Sequence, residues 1–388
     1  MQTANRLHTT KEYYFSKKLR EVRERLAQGN PVINLGIGSP DLQPPSGVIT
    51  ALTNALTHPK AHQYQPYQGV PKLREAMAQF YKKHYKVALN PACQVLPLMG
   101  SKEGIMHIAM AFLNPGDTVL LPNPGYPTYS AVANLLEAKT QQYTLAQDGA
   151  WLPNLEALEN QDLSKVKLMF VNYPHMPTGA PASIAFFKQL VAFAKRHNIL
   201  VVNDNPYSFI LNNEPVSILQ VPGAMDVCLE LNSLSKTFNM AGWRVGMLSG
   251  GAQNIKSVLK VKSNMDSGMF YGLQQGAIAA LNAKEDWYQG LNDTYNKRRE
   301  WVWKIADALG GTYSKTAQGL FVWVKLPKNT NAEALTDSLL INANLFITPG
   351  TVFGTQGAGY LRISLCVTAA ELELAYNRVC EFVKQNHE

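Results

Sequence analysis

Charge is scarce in this chain. Only 16% of its 388 residues are Asp, Glu, Lys or Arg, against about a quarter in an average soluble domain. With 46% hydrophobic residues, disorder is excluded, because disordered chains are charge-rich and poor in apolar residues. The sequence must bury a large core, or bury surface against another subunit. Long apolar runs are missing too, and none approaches the ~18 residues that span a bilayer. Cysteine is sparse: Cys93, Cys228, Cys366 and Cys380 form no CxxC pair and stand in apolar stretches. They read as reduced, buried thiols rather than disulfides or zinc ligands, so no metal is expected. The first residues carry charge where an export signal needs an apolar stretch, which predicts a cytoplasmic protein. The 27 Gly and 22 Pro are ordinary usage and exclude collagen-like and low-complexity classes.

What charge there is leans positive, +8 from 36 basic and 28 acidic residues. The Lys and Arg are scattered rather than clustered, which favours small anionic ligands over nucleic acid. At about 150 residues per domain the length gives two to three domains. A first helix is predicted over 12–27, with Leu19, Val22 and Leu26 on one face, ended by Gly29 and Pro31. From about residue 48, apolar strands alternate with amphipathic stretches. The strands fall at 95–99, 118–121, 167–172, 199–203, 227–232 and 244–249. Such short, nearly continuous apolar runs suit a parallel sheet covered on both faces. Ser183 and Asn198 bracket a helix between two of them. After about 285 the texture changes to a charged helix over 293–309 and strands at 320–324 and 360–365. A last helix starts at Thr368, where Glu371 completes a capping box. There is no internal repeat and no long linker. The expectation is an α/β fold: a large domain over 48–285 with a mostly parallel central sheet flanked by helices. A small α+β domain would be built from both chain ends, 1–47 and 286–388.

Several signatures are incomplete. Gly36-Ile37-Gly38 opens like a dinucleotide loop, but Asp41 stands where the third glycine belongs. P-loop, zincin and α/β-hydrolase motifs are absent. Ser233-Leu234-Ser235-Lys236 fits SxxK without its companion motifs. What remains points to one anionic, carbonyl-bearing ligand. Lys236 follows a strand, where α/β sheets gather their ligands. A lone lysine there is usually a surface charge, but Ser233, Ser235 and Arg244 nearby suit a Schiff-base lysine. Gly100-Ser101-Lys102 opens a helix over 103–112 and suits a phosphate, although alone it reads better as an ordinary N-cap. Asp204 ends a strand with Tyr207 three residues on; it either caps a helix or faces a ring nitrogen. Arg362 alternates with Leu361, Ile363 and Leu365, as either a solvated edge arginine or a bidentate carboxylate clamp.

Seven segments occur together and in order: GIGSPD (36–41), HQYQPYQGVPKLREA (62–76), GSKEGI (100–105), PNPGYPTY (122–129), NDNPY (203–207), SLSKTFNMAGWRVG (233–246) and YLRIS (360–364). The set resembles the fold-type I pyridoxal-phosphate aminotransferases of class I/II, over nearly the whole chain. Within them its style is nearest the LL-diaminopimelate aminotransferases and their relatives, which leaves the substrate open.

The resemblance implies pyridoxal 5′-phosphate held as a Schiff base on Lys236, which also moves protons as general acid and base. It implies Asp204 at the pyridine nitrogen, Tyr207 at the ring oxygen O3′ and Tyr126 stacked on the ring. Ser101, Lys102, Ser233, Ser235 and Arg244 match the phosphate cup, with Lys102 alternatively reaching substrate. Tyr64 matches a tyrosine that reaches the phosphate from a neighbouring subunit. That implies a homodimer with shared active sites, and it fits the low charge, because obligate interfaces are charge-poor. Arg362 matches the α-carboxylate clamp, Gly38 a glycine that admits substrate, and Tyr13 a segment that closes over it. The implied reaction moves the amino group of an L-amino acid to a 2-oxo acid, 2-oxoglutarate first, by a ping-pong mechanism. Alternatives are an LL-diaminopimelate aminotransferase specifically, or a C–S β-lyase on the same cofactor. A non-catalytic sensor is weak, since no DNA-binding domain precedes residue 48. One departure stands out. The family's Asn-Pro-Thr-Gly becomes Met176-Pro177-Thr178-Gly179, which removes an amide donor to O3′. Either Met176 packs against the ring with little effect, the favoured reading, or the site's preference is altered.

Overall fold

Strands Val166–Val171 (β5), Leu200–Asp204 (β6) and Cys228–Ser233 (β7) form because most positions are apolar, and nearly all are buried because both faces are covered. Along β5 the residues alternate between two cores. Leu168 and Phe170 enter one, while Met169 and Val171 enter the other. The computed structural model describes residues 1–7, 12 and 14–385. In chain order the remaining strands are Ile33–Asn34 (β1), Val95–Leu98 (β2), Thr118–Asn123 (β3), Lys139–Thr144 (β4), Gly246–Gly250 (β8), Phe321–Lys325 (β9), Leu345–Phe346 (β10), Thr348–Pro349 (β11) and Tyr360–Ser364 (β12). The main sheet runs β2-β8-β7-β6-β5-β3-β4. All its pairings are parallel except those of β8, which is antiparallel to both neighbours.

That one reversed strand matters for the site. The other strands reach one edge with their carboxyl ends, and β8 starts at the same edge. Arg244, two residues before β8, is therefore delivered beside Ser233 at the end of β7, whose register partner is Gly246. The sequence pattern predicted a strand here but not its direction. It also missed β4, whose Lys-Thr-Gln-Gln-Tyr-Thr has a single buried residue, Tyr143. β4 is an edge strand, where polar residues and a lysine discourage further pairing.

A second, three-stranded antiparallel sheet, β11-β12-β9, carries Arg362 opposite Trp323 and Thr348. β1 pairs in parallel with β10, so residues near both chain ends meet. A separate core joins Phe15, Val22, Ile33 and Leu35 to residues from 291 onward. The first described helix is Tyr14–Ala27, and its Leu26 is exposed rather than packed with Val22. The charged helix starts at Glu285, eight residues earlier than its polar texture suggested, because Tyr288 and Leu291 are buried on its inner face. Ser183 caps Ile184–His197 by accepting from the Phe186 N–H at 3.1 Å. Asn198 ends that helix in the left-handed region at φ 52°. Thr368 and Glu371 form the expected reciprocal cap. All four cysteines are free; Cys228 and Cys366 are buried, whereas Cys93 and Cys380 are only half-buried. Among the described residues no helix is long and apolar enough to cross a membrane.

Candidate active site

Beyond the edge where these strands end lies a cavity of about 360 Å³. Eleven of the thirteen residues expected at a site line it: Gly38, Ser101, Lys102, Tyr126, Asp204, Tyr207, Ser233, Ser235, Lys236, Arg244 and Arg362. Tyr64 does not. It is 90% exposed and borders a separate surface depression with His62, Ser267 and Phe270. Tyr13 lies outside the described residues.

Lys236 sits in a short helix directly after β7, capped by Ser233, whose Oγ accepts from the Ser235 N–H at 3.2 Å. Lys236 is partly buried at the cavity wall, and its ammonium donates to the Gly38 carbonyl at 2.5 Å. Burial pushes its pKa below the ordinary lysine value, and the Arg362 and Arg244 charges act in the same direction. A lysine tuned this way holds its proton loosely, as a nucleophile or base requires.

Three segments form an anion cup. Ser101 starts the helix Ser101–Phe112, where unpaired N–H groups and the helix dipole favour negative charge. Arg244, held at φ 54°, donates to the Ala241 carbonyl at 2.9 Å. The glycines around it are required by close approach. A Cβ on Gly100 would collide with the Arg244 guanidinium, and one on Gly246 would come within 2.8 Å of the Ser101 nitrogen.

Asp204 ends β6. Its Oδ2 accepts from the Tyr129 hydroxyl at 2.9 Å, while its Oδ1 is buried with no partner. Burial pushes the Asp204 carboxyl up to about 6, against the opposing pull of the Tyr129 hydrogen bond. A buried carboxylate oxygen without a donor, facing a cavity, calls for a cationic N–H from a ligand. Tyr129 was not singled out from the sequence, although it closes the PNPGYPTY segment one helical turn after Tyr126. Its ring stacks on Phe170 at 4.8 Å, which fixes the hydroxyl under Asp204. Asn172 was also missed. It donates to the Asp204 carbonyl at 2.5 Å and accepts from the Met176 N–H at 2.8 Å, tying β5 to β6 below the cavity.

Arg362 is buried and donates to the Gly36 carbonyl at 2.6 Å. Its guanidinium lies 3.9 Å from the Phe321 ring centre, 4.6 Å from Phe353 and 5.2 Å from Phe15. Met176 turns its sulfur onto Arg362, with Nη1 to Sδ 3.3 Å. His175 does not replace the missing amide at the cavity wall; its Nδ1 meets the Thr178 hydroxyl at 2.8 Å. The Asp41 carboxylate of the GIGSPD segment takes a two-point ion pair from Arg298, at 2.6 and 2.7 Å, and so anchors the loop that carries Gly38. A Cβ on Gly38 would strike the Phe321 ring. Gly38→Ala is therefore expected to destabilise the protein by about 1–3 kcal/mol, the usual cost of overpacking. Equilibrium denaturant unfolding measures this, and an unchanged midpoint would mean that Phe321 moves freely.

An anion cup, an unpartnered carboxylate oxygen and a buried lysine between them fit a phosphorylated, cationic aromatic aldehyde. The donor set therefore suits pyridoxal phosphate.

Comparison with known proteins agrees along the whole chain. Residues 30–379 match the family "Aminotransferase class I and II". An LL-diaminopimelate aminotransferase from Dehalococcoides mccartyi is 39% identical over 388 residues, covering all of both chains. One from Oleidesulfovibrio alaskensis is 40% identical over 379 residues, 97% of this chain and 98% of the other. The apo structure of BacF from Bacillus subtilis superposes with a TM-score of 0.95 at 36% identity, covering 98% of both chains. Matched over this length and at this identity, the chain belongs to the class I and II aminotransferases and is a pyridoxal-phosphate-dependent aminotransferase.

Proposed function

We propose that the enzyme moves the amino group of an L-amino acid to a 2-oxo acid, with 2-oxoglutarate as acceptor, by a ping-pong mechanism centred on Lys236. The observation that carries this reading is the Lys236 ammonium, buried between an anion cup and the unpartnered Asp204 oxygen. When bound, pyridoxal phosphate supplies a sink for the electron pair released as the substrate Cα proton leaves. Lys236 Nζ takes and returns that proton, helped by its lowered affinity for it. Asp204 Oδ1 would hold the ring N–H, and Tyr207 would donate to the ring oxygen. Tyr126 would cover the ring, and Ser101, Ser233, Ser235 and Arg244 would hold the phosphate. Arg362 binds the α-carboxylate beside Gly38, with Lys102 at the cavity mouth. Residues 48–285 would act as the cofactor-bearing unit, and 1–47 with 286–388 as the smaller one. The setting is the cytoplasm.

The site is completed in a homodimer, where Tyr64 reaches the partner's phosphate. Support comes from its 90% exposure beside the exposed apolar residues Tyr67, Met265 and Phe270. Tyr64→Phe should weaken cofactor retention by about 1.5–3 kcal/mol, the worth of one hydrogen bond to a charged group. Mixed dimers of Tyr64→Phe and Lys236→Ala chains should regain one working site. Hybrids without activity would place the tyrosine outside the partner's site.

The names of the relatives favour LL-diaminopimelate as a second reading of the donor. A panel of amino donors against 2-oxoglutarate, with LL-diaminopimelate included, tests both. Pyruvate formed from cystathionine without acceptor would instead show a β-lyase.

A further inference from the structure

The wall around Arg362 is apolar. Phe15, Phe321 and Phe353 are at most 6% exposed and surround the guanidinium at 3.9–5.2 Å. Phe15 and Phe353 pack with ring centres 6.4 Å apart. Leu19, one helical turn after Phe15, and Ile37, next to Gly38, continue the lining. Met176 closes the side toward β5 with a thioether rather than an amide. A substrate whose α-carboxylate lies on Arg362 begins its side chain two bonds away, so that side chain meets rings and aliphatic groups.

The charges in the lining are uneven. Lys102, Lys236, Arg244 and Arg362 are cations, and Asp204 is the one carboxylate among the described lining residues. Asp204 is held by Tyr129 at 2.9 Å and is assigned above to the cofactor. A second ammonium on the substrate would thus meet no counter-ion among this chain's described lining residues, and burying an unpaired charge is strongly unfavourable. A distal carboxylate is different, because the cations of the lining attract it. The acceptor 2-oxoglutarate is therefore compatible with this wall.

We infer that the amino donor carries a large, uncharged, apolar side chain of about phenylalanine size, seated against Phe15, Leu19, Ile37 and Phe353, and that donors with a second ammonium are rejected. This rests on the aminotransferase reading above and narrows its substrate. It sets the chain apart from relatives named for LL-diaminopimelate, whose distal carbon bears, beside a carboxylate, the ammonium that this lining leaves unpaired.

The test follows the absorbance of the bound cofactor in the purified holoenzyme as single donors are added. Phenylalanine should exceed alanine, lysine and LL-diaminopimelate in kcat/KM by about 100-fold or more, within the range a hydrophobic pocket gives per substituent group. Phe15→Ala should lower kcat/KM for phenylalanine by about 10–100-fold more than it lowers that for alanine. Binding of unreactive analogues to the wild-type holoenzyme, read by calorimetry, gives a second measure independent of turnover. Hydrocinnamate should bind at least about 30-fold more tightly than 5-(trimethylammonio)pentanoate, whose distal ammonium cannot form a Schiff base. A cofactor that responds best to LL-diaminopimelate or lysine would overturn the inference and leave the aminotransferase reading intact; this would be the result if the partner subunit supplied a carboxylate. A cofactor that responds to no amino acid would overturn the reading itself, and the analogue affinities would still decide the character of the wall.

Discussion

Lys236→Ala is expected to reduce turnover by at least about 10⁴-fold without lowering the melting temperature of the apo form. Two functions are lost together. The covalent hold on the cofactor disappears, and so does the Nζ that moves the Cα proton, a role typically worth about 10²–10⁴-fold alone. Little packing is lost in exchange. The ammonium is buried against one carbonyl, that of Gly38, and burial already disfavours its charge. Removing a desolvated cation from between Arg362 and Arg244 relieves repulsion in the apo form. Borohydride reduction of the wild type, followed by peptide mapping, should place the cofactor on Lys236. Labelling at Lys102 or any other lysine would overturn the assignment, as would a variant that keeps ordinary activity.

Asp204→Asn is expected to lower turnover by about 100- to 5,000-fold. That corresponds to the roughly 3–5 kcal/mol lost when one partner is removed from a buried ion pair. A second readout needs no activity. In the apo form the Asp204 carboxyl titrates near 6, raised from 3.8 by burial. Between these values the native state binds a proton that the unfolded chain has released, so stability falls as pH rises. The contribution is fully present below about 3.8 and is lost as pH passes through about 6. Its size is roughly 3 kcal/mol, from about two pKa units. Urea unfolding of apo wild type and apo Asp204→Asn should therefore diverge across pH 4–6, with the wild type losing more stability. Parallel stability curves would mean that Asp204 titrates normally and that its unpartnered oxygen is solvated.

The two variants probe residues whose positions were legible for different reasons. Lys236 was found from a local motif on a strand end, and it occupies the cavity because β7 carries it there. The two-sided sheet was equally legible: β5, β6 and β7 carry apolar residues on both faces, a pattern that suits double coverage. The caps at Ser183, Thr368 and Asn198 were readable because a helix terminus is chemically local. β4 was not readable. Its stability comes from pairing with β3, and its side chains are those of an exposed edge.

Sequence alone determined the sheet class, the order of the functional segments and which side chains could carry the chemistry. These depend on periodicity and short-range turn geometry, both of which act over a few residues. Tertiary structure decided the rest. The direction of β8 puts Arg244 at the same edge as the other strand ends, and nothing in its apolar run encodes that direction. Nothing in the sequence brings Phe15, Phe321 and Phe353 together, yet they gather around Arg362 from an α-helix, a strand and a 3-10 helix. Arg298 and Asp41, 257 positions apart, fix the loop that bears Gly38. The unpartnered oxygen of Asp204, and with it the raised pKa, exists only because the surrounding core excludes water from that strand end, against the pull of the Tyr129 hydrogen bond. Desolvation and the meeting of distant side chains are properties of the packed chain, and local pattern specifies neither.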